Sequence, residues 1–266
     1  MRCGAVLLAA VILTAAGAAH ARPLRVMALD QCADQYVLAL APDAALALSP
    51  RADDPDAWLR REASGHRRIR PSLEAAIAFR PDVVVRYWGG EPRLLRRLEA
   101  DGARVLNIED GRDFDGVRAN IATVAAGLDA SKRGAALIAR MDQTLPRPVA
   151  ENGTMPPPSA LYLTAGGFTA GKGTLIDAIL SAAGFVNAVR DASFAPVSVE
   201  RTVLRPPARF VLGFFDQIRS DWRGAGRHPA LRRASRGRVA AHLPAAALTC
   251  PGWFAADAAA LLKAAR

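Results

Sequence analysis

The sequence predicts an α/β fold in two lobes, and three observations carry that prediction. Short apolar runs alternate with segments of helical periodicity, which is the pattern of parallel sheets covered by helices. The alternation stops once, over residues 115–145, where nearly every residue favours helix. An exposed linker of polyproline character follows at residues 152–159, with Pro156-Pro157-Pro158, and the alternation then resumes. The expected organisation is an amino-terminal lobe over residues 22–114, a connecting helix over 115–146 and a carboxy-terminal lobe over 147–266.

Residues 1–21 read as a signal peptide. Arg2 supplies the positive start, residues 5–16 are apolar apart from Thr14, and Ala19-His20-Ala21 offers small residues for cleavage after Ala21. That run is shorter than the roughly 20 residues a spanning helix needs, so the expected location is the periplasm. In the mature chain, residues 25–29 predict a strand and 34–40 its helix. Residues 55–62 predict a short helix with Pro55 at its first position. Ser72 caps a helix over 73–79, Pro81 stops it, and Val83-Val84-Val85 is a buried strand. Residues 92–101 form a helix ended by Gly102, and 105–108 another strand. In the connector, Val117, Ile121, Val124 and Ala125, then Leu137, Ile138, Met141 and Leu145, fall at helical spacing. Past the linker come a strand at 160–164, a glycine-rich turn, helices at 175–183 and 199–204, a strand at 210–212 and a last helix at 254–265.

The formal charge of +10 is almost wholly arginine, since Lys132, Lys172 and Lys263 are the only lysines. No basic run is interleaved with aromatics, so no nucleic-acid groove is expected, although a basic surface attracts anions at long range. Cys3 leaves with the signal. Cys32 and Cys250 remain, and an isolated pair in an oxidising compartment reads first as a disulfide, with two separately buried thiols as the alternative. They make no zinc pattern, having neither a CxxC nor a nearby histidine.

Gly166 to Gly173, GGFTAGKG, has the G-x4-G-K spacing of a phosphate loop, but Gly173 stands where a Ser or Thr would hold magnesium. It reads better as a loop whose backbone approaches a ligand, with Thr174 capping the next helix. There is no GxSxG elbow, and His66, His228 and His242 sit in no metal or catalytic spacing, so neither an enzyme nor a resident metal or cofactor is expected. What the chain does place after its strands is aromatic: Tyr87 and Trp88 ahead of Gly89-Gly90, then Phe168, then Phe214 and Phe215. In open parallel sheets, ligands bind outside the carboxyl ends of strands, and large flat ligands need apolar walls with a few polar groups. The plainer alternative is that each aromatic fills the core.

PSLEAAIAFRPDVVV from Pro71, YWGGEPRLLRRLEADGARVLNI from Tyr87, FTAGKGTLIDAILSAAGFVNAV from Phe168 and PVSVERTVLRPPARFVLG from Pro196 together resemble the class III periplasmic substrate-binding proteins of ABC importers, which deliver ferric siderophores, haem and cobalamin. The cobalamin-binding branch is the most similar. In the last segment, Pro206-Pro207-Ala208-Arg209 replaces the family's Pro-Asp. The resemblance implies two Rossmann-like lobes with parallel sheets joined by a single long helix, a ligand cleft between the lobes, and no catalysis. It implies as partners a metal chelate, a ferric siderophore or cobalamin, and an ABC permease with its ATPase, the protein acting as a monomer. Tyr87, Trp88, Gly89, Phe168, Phe214 and Phe215, from their places after strands, are the candidate ligand-binding residues, and the resemblance assigns Glu74 and Glu200, one on each lobe, to arginines of the permease. Haem in the same cleft is an alternative, with Tyr87 or Tyr162 as the axial candidate. A secreted α/β enzyme and a sensor domain are others.

Overall fold

The computed structural model describes residues 22–147, 156–191, 194–217 and 224–266. The expected signal peptide and residues 152–155 of the expected linker lie outside them. β1 (Arg25–Ala28) runs into α1 (Gln31–Leu40), followed by β2 (Ala45–Leu48) and a two-residue edge strand, β3 (Arg67–Arg68). Ser72 caps α2 (Leu73–Phe79) by accepting from the Ala75 N–H. β4 (Val83–Arg86), α3 (Pro92–Ala100) and β5 (Arg104–Asn107) complete a parallel sheet of order β3-β2-β1-β4-β5. α3 opens on Pro92, whose missing N–H costs nothing at a helix start. Val83-Val84-Val85 is buried on both faces, because Val83 and Val85 meet α1 while Val84 meets Phe79, Leu94 and Leu98 on the other side.

The expected single connecting helix is instead two, α4 (Phe114–Gly127) and α5 (Ser131–Thr144). α4 ends because Asp129 takes a left-handed φ of 56°, letting the Ala130 and Asp129 N–H groups donate back to the carbonyls of Ala125 and Ala126. Asp is among the few non-glycine residues that tolerate this closing turn. The two helices lie antiparallel: Arg118 Nη2 reaches Asp142 Oδ1 at 2.7 Å, and Gly134 sits against Ala125 so closely that an added Cβ would lie 2.5 Å from the Ala125 methyl. Residues 55–62, expected as helix, form a succession of turns.

The second half holds β6 (Ser159–Thr164), β7 (Phe168–Ala170), α6 (Leu175–Ala182), β8 (Val186–Asn187), β9 (Phe194–Pro196), α7 (Val199–Leu204), β10 (Arg209–Gly213), α8 (Pro229–Ser235), β11 (Val239–Leu243) and α9 (Ala255–Ala264). Four of these strands form a parallel sheet of order β11-β10-β6-β8, while β7 and β9 pair antiparallel as a separate ribbon. The order β8-β6-β10-β11 repeats β2-β1-β4-β5 of the first sheet, although the two halves share no aligned sequence repeat. α7 and α2 are therefore counterparts, as are α8 and α3. Each sheet has its own core. Trp58, Phe114 and Leu145 pack against both.

Candidate functional site

The carboxyl ends of the two sheets face each other, and three contacts prove it. Cys32, at the start of α1, is bonded to Cys250, which follows β11, with Cα atoms 5.4 Å apart. The Tyr36 hydroxyl donates to the Pro251 carbonyl at 2.6 Å. Asp56, on the loop after β2, accepts from Gln217 Nε2, just past β10, at 2.9 Å and from the Thr249 hydroxyl at 3.3 Å, while its other oxygen accepts from Gln31 Nε2 at 3.0 Å. A single buried carboxylate thus joins residues of both halves on the floor between the sheets.

Two further carboxylates shape the amino-terminal wall. Asp30, at the end of β1, accepts the N–H groups of Cys32 and Ala33 on one oxygen, capping α1, and those of Tyr87, Trp88 and Gly89 on the other at 2.8, 3.1 and 2.8 Å. Five donors on one buried carboxylate fix the turn after β4. Gly89 is the residue that allows it, since a Cβ there would lie 2.5 Å from the Leu29 carbonyl oxygen. Gly89 is accordingly buried, and Trp88 is carried outward with 56% of its surface exposed. Asp34 accepts from the Ser49 N–H at 2.8 Å and from the Ser49 hydroxyl at 2.6 Å, tying the end of β2 to α1. Burial pushes its pKa up to about 7, against the lowering effect of Ser49. Gln35 completes this polar face by accepting from the Leu59 N–H.

On the other side, Phe168 begins β7 in place of the expected loop, opposite Pro196 of β9, and is 49% exposed. Phe194 beside it is 65% exposed. Phe214 is half-buried with φ at 62°, strained for a bulky residue, directly where β10 turns toward Gln217. Phe215 turns back to Leu161, Leu163 and Phe210, with the Arg227 guanidinium 5.0 Å over its ring. The structure thus brings Trp88, Phe168 and Phe214 to strand ends as exposed or half-exposed groups, and gives Gly89 and Phe215 packing roles beneath them. Asp30, Asp34 and Asp56 are not singled out by the sequence, because each takes partners from distant segments as well as or instead of its own.

The sequence profile described as "Periplasmic binding protein" matches residues 29–211, more than half of the chain. The chain belongs to the periplasmic binding protein family. Solved structures of this fold include the periplasmic haem-binding protein RhuT of Roseiflexus sp. RS-1 (23% identity, 91% of this chain and 97% of that one, TM-score 0.70). The vitamin B12 binding protein BtuF of Vibrio cholerae superposes as well (20%, 91% and 96%, 0.65), as does a possible iron-binding solute-binding protein of Staphylococcus epidermidis (15%, 92% and 99%, 0.72). At these identities the likeness establishes the fold. No curated protein matches.

In this periplasmic binding protein, Glu74 and Glu200 occupy the same place in their two lobes. Each is the second residue of its helix, two positions beyond an N-capping serine (Ser72 or Ser198), and each is exposed. Tyr162 is fully buried in the second core. Tyr87 is half-buried and donates its hydroxyl to Asp110; burial first, and then that carboxylate, raise its pKa above the usual phenol range.

Proposed function

We propose that this chain is the substrate-binding protein of an ABC importer, and that it captures a chelate whose metal is already saturated, a ferric siderophore or cobalamin, between the carboxyl ends of its sheets. The observation that carries the reading is Trp88: a large aromatic, more than half exposed, held rigidly by three hydrogen bonds from its turn to Asp30. A soluble protein gains nothing from displaying tryptophan so firmly unless a flat ligand covers it. Phe168 and Phe214 supply the facing wall. Among the described residues no group of three or more His, Cys, Asp or Glu could hold a bare metal ion, which favours cargo that brings its own ligands. Solved relatives of this fold are described as binding haem, vitamin B12 and iron. Haem is the second reading. Tyr87, half-buried with its hydroxyl on Asp110, is the axial candidate there.

Delivery then falls to Glu74 and Glu200, each presenting a carboxylate to an arginine of the permease, with the ATPase on its far side and no chemistry done by the binding protein. The test is a tryptophan-fluorescence titration against cobalamin, several ferric siderophores and haem. Saturable quenching by one chelate, without turnover and lost in Trp88→Ala, is the expected result. No response to any chelate, or conversion of one, overturns the reading.

A further inference from the structure

α7-β10-α8 and α2-β4-α3 are topological counterparts, yet their charges differ sharply. From the first residue of α2 through Asp101, which caps α3, the chain has five arginines and five carboxylates, net zero. From the first residue of α7 through Arg236, which caps α8, it has nine arginines and three carboxylates, net +6. In the first unit the charges balance in number, and Arg97 pairs with Asp101 at 2.9 Å. In the second, Arg201, Arg205, Arg232, Arg233, Arg236 and Arg238 are all exposed, and among the described residues none has a carboxylate within ion-pair distance.

These arginines converge. Arg233, Arg236 and Arg238 line one shallow depression with Val203 and Pro206, so the cationic side chains of α8 and its following turn border the end of α7. At that end Leu204 is 73% exposed, and Val203 beside it is 40% exposed. An exposed apolar tip beside a depression bordered by arginines, which have no carboxylate partner among the described residues, is the chemistry of a surface that meets a membrane interface: leucine enters the headgroup boundary while guanidinium groups bind phosphate. A folded protein partner would instead call for a broader apolar core with aromatic side chains.

We infer that the α7–α8 face of the carboxy-terminal lobe binds the anionic phospholipid surface of the membrane, holding the loaded protein on the plane in which its permease lies. Glu200 stands on the same α7, so the orientation rests on the docking reading above, while the lipid contact can be measured without any permease. Arginines supply the attraction to anionic headgroups over about a Debye length, and Leu204 supplies the short-range hold.

The test is co-sedimentation of the full chain with vesicles of phosphatidylcholine alone and of phosphatidylcholine with phosphatidylglycerol. Salt-sensitive binding to the anionic vesicles only, weakened about tenfold or more in Arg233→Glu/Arg236→Glu and also in Leu204→Ser, is expected. The control Arg93→Glu/Arg96→Glu makes the same charge change on the counterpart α3. Circular dichroism establishes that each variant is folded. Absence of binding to anionic vesicles overturns the inference, and so does equal weakening by the α3 control, which would mean that net charge alone drives binding. Lost permease-dependent transport in Arg233→Glu/Arg236→Glu with vesicle binding unchanged also overturns it, assigning the face to a protein. Glu74→Lys/Glu200→Lys separates the two readings: transport lost with vesicle binding intact leaves the lipid face standing, and transport retained removes only the docking role.

Discussion

Asp30 carries more structure than any other side chain at the cleft, because its five N–H donors come from two separate segments. Asp30→Ala strands those donors in a buried place, and a loss of about 3 kcal/mol or more in urea unfolding is expected, together with weaker ligand binding as the Trp88 turn loosens. Trp88→Ala behaves differently. It should weaken binding by about 1 to 3 kcal/mol at unchanged stability, and an unchanged dissociation constant in a folded variant removes Trp88 from the ligand site. Asp34 makes stability depend on pH. Its folded pKa of about 7 lies above the 3.8 of a free aspartate side chain, so between those values the folded chain holds a proton that the unfolded chain has released. Stability contributed by this group is therefore fully present below pH 3.8, falls by about 1.4 kcal/mol per unit across the window, and is level above pH 7. Asp34→Asn keeps an acceptor for the Ser49 N–H and a donor for its hydroxyl. Urea titrations at pH 5 and pH 8 should show the variant losing this slope and exceeding the parent at pH 8.

Among the elements, the disulfide and the helix pair invite direct tests. The Cys32–Cys250 bond closes a separation of 218 residues, and Cys32→Ser/Cys250→Ser should lower unfolding free energy by about 2 to 5 kcal/mol. Gly134→Leu forces a side chain into the space held by Ala125 and should separate α4 from α5, seen as a lower melting temperature and an altered interlobe distance. The helices capped by Ser72 and Thr174 were legible in the sequence because a cap acts on residues three positions away. β2 (Ala-Leu-Ala-Leu) and β11 (Val-Ala-Ala-His-Leu) were not, since they lack the β-branched run that marks β4; their pairing partners make them strands. The break at Asp129 was hidden for a related reason, because apolar spacing continues through it and only a backbone angle stops the helix. Trp88 was legible from its place after a strand and before two glycines. Asp56 was not, as its partner Gln217 lies 161 residues away.

At the scale of the whole molecule, the two lobes repeat one topology, and Glu74 and Glu200 mark the same point in each repeat. Replacing both by lysine should abolish transport and permease binding while leaving ligand affinity and thermal stability nearly unchanged, since an exposed helix carboxylate adds little to folding. Single replacements should give partial loss. Full transport by the double variant would make both ordinary surface carboxylates, and loss of ligand binding along with transport would move them into the cleft.

The last turn before α9 also governs the order in which this chain can be built. Cys250, Trp253 and Phe254 lie after the final strand of the second sheet, yet they belong to the core of the first: Trp253 meets the Tyr36 ring edge-on at 5.7 Å, and Phe254 stacks on Trp58 at 5.2 Å. The lobe synthesised first is therefore completed last. While the second sheet is still unformed, the first has an open seam beside α1, and Cys32 waits there as a free thiol for a partner more than 200 residues further along the chain. Contacts so distant along the chain form slowly, because the entropy of closing the loop is lost before any contact repays it. A chain truncated just before Cys250 should accordingly fail in both lobes, even though every strand of both sheets is present.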